Sequence, residues 1–464
     1  MKKNHKKERL IAWLISGFIL IIVLAGLSVA GYFGVQYLNN MRAEKQRLAE
    51  IEEAERIAEE EAKRIAEEEK KAEEEAALSE ESIDQETLDA IFDEEEEEPL
   101  DVEIEEEEDP ELIKKAEELV ALMSVEQKVA QLFFIKPEAI TDVDVCTAAG
   151  EKTKAALSEY PVGGIIYFAD NIEDPEQLSE MTKKLQGFSK DITGLPIFIG
   201  IDEEGGSVTR IAKNENFEVD KVDTMENIGL EGDSQKAYDA GNTIGKYLAE
   251  YGFNVNFAPD ADVITSTKSV IGDRSFGTDP NVVSDMMAAY ANGCKDAGIL
   301  ACAKHFPGHG AVDADTHEGE AVIDKNWAEL EESELIPFKR AATEKIPFMM
   351  VSHICLPSIT VESIPASLSG SLITDKLRGN LGYKGIIITD SLAMGAIDTK
   401  YSSPEAAVKA LQAGADMLLM PMDFKAAYEG VLSAIEDGTI SEERINESVI
   451  RIVKEKIKLN GEEE

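Results

Sequence analysis

Five short clusters in the chain carry the residue types that proton transfer and nucleophilic chemistry require. Asp202-Glu203-Glu204-Gly205-Gly206 is followed by Arg210, and Asp260 and Asp262 stand two apart. Lys304-His305-Phe306-Pro307-Gly308-His309-Gly310 sets a lysine and two histidines close together, Asp313, Asp315 and His317 follow it, and Asp390-Ser391 ends an apolar run. A carboxylate can attack an electrophilic carbon and hold a covalent intermediate, and an imidazole, with an ordinary pKa of about 6.5, can give and take a proton near neutrality. Other readings stand beside these. By position Asp390 is either a nucleophile or a cap for the next helix. Glu203 and Glu204 either do chemistry or accept turn amides beside Gly205-Gly206. His309, between two glycines, fits loop geometry better than substrate contact, and His353 fits a satisfied core histidine slightly better than a pocket wall. His305, His309 and His317 with Asp313 or Asp315 could instead hold a metal for hydrolysis.

Such residues act together only if the fold gathers them. From Pro110 onward, eight apolar runs alternate with helical patterns: 129–135, 163–169, 195–201, 253–259, 299–305, 347–353, 385–390 and 416–421. SQKAYDAGNTIGKYLAEY and PNVVSDMMAAYANGCKDAG are typical of the amphipathic segments between them. Repeated strand–helix units of this number predict a parallel α/β fold of the (β/α)8 TIM-barrel type over residues 110–464, with its site at the C-terminal ends of the strands. The polar clusters fall at those ends. No Gly-x-Gly-x-x-Gly follows the first strand, which argues against a dinucleotide-binding fold, and the reading requires no cofactor and no metal.

The first hundred residues differ in character. A basic tail, 1–9, precedes an uncharged run over residues 10–35, longer than the roughly 20 residues that span a hydrocarbon core and than the ~7–15-residue apolar core of a cleavable signal. The expectation is a transmembrane signal anchor in the cell membrane with the catalytic domain outside, by the positive-inside rule. Residues 36–78 repeat AEEE and RIAEE without Pro and predict a charged helical stalk, with a weak coiled coil and self-association as one outcome. Residues 79–109 are an acidic block expected to be disordered. The net charge of −47 leaves no basic footprint for nucleic acid. Cys146, Cys294, Cys302 and Cys355 lack C-x-x-C spacing, so they suggest neither zinc nor a redox motif, and Cys302 lies within a predicted strand as a buried thiol.

IDEEGGSVTR, GDRSFGTDP, KHFPGHG, the Asp315-Thr316-His317 triplet and ITDSLAMGAI together resemble glycoside hydrolase family 3, over about residues 115–460. The resemblance implies a carbohydrate substrate, Asp390 as catalytic nucleophile, His317 as acid and base, and Asp315 orienting its ring. It also implies that Asp202, Arg210, Arg274, Lys304 and His305 bind sugar hydroxyls. Many members carry a second α/β domain that supplies a carboxylic acid. This chain ends shortly after the eighth strand and its helix, so the expected acid comes from the barrel, a pattern similar to single-domain β-N-acetylglucosaminidases that trim peptidoglycan fragments. A retaining exo-β-N-acetylglucosaminidase is the expectation. A β-glucosidase, a β-xylosidase, a glycoside phosphorylase and a non-catalytic envelope scaffold are the competing readings.

Overall fold

The computed structural model describes residues 109–461, apart from 267, 314, 317, 318 and 361–363. The described residues fall within one compact unit, Glu106–Glu464. Its strands are β1 (Phe133–Ile135), β2 (Gly164–Ile166), β3 (Phe198–Ile201), β4 (Val255–Asn256), β5 (Leu300–Phe306), β6 (Ala321–Val322), β7 (Phe348–Val351), β8 (Ile354–Cys355), β9 (Ile386–Thr389) and β10 (Leu418–Leu419). Eight of them form one parallel sheet in the order β10-β1-β2-β3-β4-β5-β7-β9. A parallel bridge between Ile388 and Met417, with Thr389 N–H donating to Met417 O (3.0 Å), joins the last strand to the first. The result is a nearly closed barrel of the TIM type, and each of its strands lies within or against one of the eight apolar runs.

Differences from the sequence reading have local causes. Residues 129–131, read as the start of the first strand, belong instead to the helix Val125–Gln131, which starts where Ser124 and Gln127 form a reciprocal capping box. The short parallel pair β6–β8 was not anticipated, since two-residue strands leave no periodic signal. The crossover helices follow ordinary rules. Pro175–Thr193 begins at Asp174, whose side chain accepts from Gln177 N–H, has proline at its first position and ends at Gly194 with φ 72°.

Aromatic residues fill the barrel beneath the strand ends. Phe134 meets Phe257 edge-on at 5.1 Å and Phe198 meets Phe348 at 5.3 Å. Gly164 and Gly200 make room for the Phe134 ring, because a Cβ at either would lie 2.5 or 2.7 Å from it. At the opposite, N-terminal end the helix Glu442–Gly461 covers the barrel. There the buried Asp416 accepts from Ile387 N–H (2.9 Å), Ser448 Oγ (2.7 Å), Arg451 (3.0 Å) and Arg378. Burial pushes this carboxyl up, but Arg378, Arg451 and Arg444 outweigh it and hold it ionised. Asp416→Ala strands these cations, and a loss of about 3–5 kcal/mol is expected. The urea midpoint of the full chain measures it; an unchanged midpoint would show that the network contributes nothing.

The membrane assignment needs correction. Among the described residues no helix is long and apolar enough to cross a membrane. Those of comparable length, Pro175–Thr193 and Glu442–Gly461, are amphipathic and lay one face on the barrel while charged residues line the other. The single-pass cell-membrane localisation with an extracytoplasmic domain therefore has no element to support it among the described residues, and the same holds for membrane attachment and stalk self-association. The span at 10–35, the stalk at 36–78 and all but the last residue of the linker at 79–109 lie outside the described residues. All four cysteines are buried.

Candidate active site

The parallel sheet brings the C-terminal ends of all eight barrel strands to one face, and the polar clusters arrive there. A continuous chain of ion pairs runs across this face. Arg210 meets Asp202 (3.5 Å), Asp202 meets Lys304 (3.2 Å), Lys304 meets Glu204 (2.6 Å), and Glu204 meets Arg274 (2.8 Å). Arg274 meets Asp260 (3.3 Å), Asp260 lies 3.8 Å from His305 Nδ1, and His305 Nδ1 bonds Asp262 (2.8 Å). The five residues expected to bind sugar hydroxyls, Asp202, Arg210, Arg274, Lys304 and His305, thus form one network, held together by Glu204, Asp260 and Asp262. Asp202, Arg210 and Arg274 keep 20%, 23% and 22% of their side-chain surface exposed, so they face the barrel mouth, while Glu204 and Lys304 at 3% lie beneath.

Burial is the largest influence on each charge, and the partners decide the outcome. It pushes Glu204 up, but Lys304 and Arg274 together hold it far below the usual carboxylate range. Lys304 is raised because Glu204 and Asp202 outweigh desolvation. Asp262 and His305 favour each other's charged form, lowering the carboxyl and raising the imidazole. Asp260 differs. Burial, aided by Glu204, overcomes Arg274 and pushes it up to about 7.

Glu203 and Glu204, adjacent in sequence, do different work. Glu203 is fully buried and accepts from the amides of Arg210, Ile211 and Ala212 and from Tyr247 Oη (2.9 Å), which pins the turn carrying Arg210. Glu204 faces the cations. The turn between them and Arg210 needs Gly206, where φ is 51° and a Cβ would sit 2.6 Å from Thr224 Cα.

Asp390 follows β9, with its backbone N–H on Val351 O (2.9 Å) and its Oδ1 accepting from Ser391 N–H (2.7 Å). Desolvation raises its carboxyl, but His353, His305 and His309 together with that amide bring it below the ordinary value, so it is ionised at neutral pH. β9 pairs with β7 and β7 with β5, so Asp390 leaves the barrel on the same face as Lys304 and His305. His353 is fully buried, with Nδ1 on Ser367 Oγ (2.7 Å) and Nε2 donating to Ser391 O (2.8 Å), so it is a satisfied core histidine supporting the Asp390 turn. Of the expected acid–base pair, Asp315 lies on the loop between β5 and β6, and His317 lies outside the described residues.

Asp260, Asp262 and His305 offer ligand atoms within 4.8 Å of one another. Arg274 and Lys304 already neutralise the surrounding carboxylates, so the donor set does not call for a further cation, and it differs from the histidine set considered for a metal hydrolase. The sequence leaves Glu204 between chemistry and turn amides and assigns the aspartates 260 and 262 no role. Their signal was position alone, directly after β3 and β4.

Comparison with known proteins identifies the family. The family model described as "Glycosyl hydrolase family 3 N terminal domain" matches residues 124–454. The chain is 35% identical over 289 residues to a beta-hexosaminidase from Nitrosomonas eutropha, covering 61% of this chain and 80% of that protein. It is 32% identical over 326 residues to beta-hexosaminidase A from Pseudoalteromonas piscicida, covering 65% of this chain but 54% of the relative. The structure of a glycoside hydrolase family 3 beta-N-acetylglucosaminidase from Paenibacillus superposes with a TM-score of 0.68 at 36% identity, over 73% of this chain and 63% of that one. The chain therefore spans less than two thirds of two of these relatives. A family match over residues 124–454, well over half of the chain, shows that the chain belongs to glycosyl hydrolase family 3.

Proposed function

We propose that the chain is a retaining exo-β-N-acetylglucosaminidase, acting on glycans that end in β-linked N-acetylhexosamine, peptidoglycan fragments among them. Its relatives are named for that sugar class. The observation that supports the reading is the position of Asp390 directly after β9, on the barrel face that also carries the network of Asp202, Arg210, Arg274, Lys304 and His305. In the reaction, directional bonds from those five side chains hold the sugar hydroxyls. Asp390 attacks the anomeric carbon to form a glycosyl ester while His317, oriented by Asp315, protonates the departing oxygen. His317 then takes a proton from water as the water displaces Asp390 and releases the sugar with retained configuration.

A panel of nitrophenyl β-glycosides tests the substrate class. The N-acetylglucosaminide is expected to exceed the glucoside and the xyloside by at least about 10-fold in kcat/KM, because a site built around the acetamido group leaves polar groups unpaired when it is missing. Equal or greater turnover of the glucoside or xyloside would overturn the proposal, and turnover that required added phosphate would replace hydrolysis by phosphorolysis.

A further inference from the structure

Thr316 lies between Asp315 and His317, and the enzymatic reading gives it no role. It is 1% exposed, although the loop that carries it lies at the barrel mouth. Two hydrogen bonds account for that. Its Oγ1 bonds Nε2 of the buried His309 (3.1 Å), and its carbonyl accepts from Ala396 N–H (3.2 Å). Each bond leads to a different part of the site. His309 N–H donates to Asp262 Oδ1 (2.5 Å), and the other oxygen of the same carboxylate holds His305 Nδ1 (2.8 Å). Ala396 is the second residue of the four-residue helix Gly395–Asp398, one short turn after Asp390, and that turn is fixed by Met394 N–H on Ser391 O (3.0 Å) and Leu392 N–H on Leu419 O (2.9 Å).

The geometry points to Thr316 and His309 as positioning residues: Thr316 is a peg that ties the backbone bearing Asp315 and His317 both to the sugar-holding His305, through His309 and Asp262, and to the turn bearing Asp390. The inference rests on the assignment of Asp315 and His317 as the acid–base pair. Burial, with the neighbouring charge of His305, lowers the His309 pKa and so favours the neutral ring that bonds Thr316. A residue displaced by about 1 Å can lose about 10²-fold in rate, and here the loss falls only on the step that needs the acid.

The test uses the full chain and two substrates, nitrophenyl N-acetyl-β-glucosaminide, whose leaving group departs without protonation, and a β-linked N-acetylglucosamine disaccharide, whose leaving group does not. In kcat/KM, which reports the steps through glycosylation, Thr316→Val is expected to lose about 10²-fold on the disaccharide and stay within about 3-fold on the aryl glycoside. Thr316→Ser, which restores the hydroxyl, returns the disaccharide rate to within about 3-fold of wild type. If Thr316→Val does not fold, the comparison is read from Thr316→Ala, which removes the hydroxyl without adding bulk. Equal losses on the two substrates, or none, overturn the positioning role while the wild-type rates leave the function standing. A wild type inactive on both substrates overturns the function itself.

Discussion

Asp390→Ala is expected to lower turnover of every β-N-acetylhexosaminide by at least about 10³-fold, whatever the leaving group, because it removes the covalent route altogether. His317→Ala should fail differently. General acid assistance is worth about 10²–10⁴-fold, and it is needed only where the departing oxygen is a poor leaving group. The aryl glycoside should therefore keep kcat/KM near wild type while the disaccharide loses most of its rate. Asp315→Asn should fall between them and move the pH profile. Without the carboxylate the imidazolium is less stable, so the limb at which the acid deprotonates shifts to lower pH. Steady-state kinetics on both substrates across pH 5–9 distinguish these patterns. A His317→Ala enzyme that cleaves the disaccharide at near wild-type rate would require another acid, and an Asp390→Ala enzyme with substantial turnover would require another nucleophile.

Lys456→Met is expected to stabilise the protein, with the gain greatest in mild acid. Lys456 lies on the helix Glu442–Gly461 across the N-terminal end of the barrel, 1% exposed, with its ammonium 2.7 Å from Gln131 Oε1 and 5.1 Å from the Phe198 ring. Burial pushes its pKa down from 10.5 to about 7. The folded value lies below the unfolded one, so between these limits the unfolded chain binds more protons and stability rises with pH. Below about pH 7 the charge is buried in full and the penalty is complete; above about pH 10.5 the amine is neutral in both states and the penalty is gone. A shift of this size corresponds to about 5 kcal/mol. Losing the bond to Gln131 and the ring contact returns about 2 kcal/mol. A net gain of about 3 kcal/mol is thus expected at pH 6, shrinking toward alkaline pH and reversing once the penalty falls below what those contacts supply. Urea midpoints of both proteins at pH 6 and pH 10 measure it; a difference that does not vary with pH would place the stabilisation in packing rather than in the buried charge.

The two ends of the barrel were unequally legible in the sequence, for a physical reason. At the catalytic end, short apolar runs bounded by Gly and Pro marked all eight strands, and a parallel barrel sends whatever follows each strand to one face. Naming the residues after the runs therefore named Asp202, Lys304, His305 and Asp390 as neighbours, though 188 positions separate the first from the last. Arg210 and Arg274 came instead with the family motifs. Which carboxylate does what was decided by tertiary contacts. Glu203 and Glu204 are identical in type and adjacent, yet one is taken by the amides of residues 210–212 and Tyr247 and the other by Arg274 and Lys304, because successive side chains leaving a strand point opposite ways. Asp262 holds two histidines, and Thr316 joins two loops, through partners more than 40 residues distant in three of the four bonds. At the other end, Lys456 reads in sequence as one more lysine in a charged, amphipathic helix. Only the docking of that helix across the strand beginnings turns it inward against Gln131 and Phe198, and docking depends on the shape of the whole barrel rather than on any pattern in the helix itself.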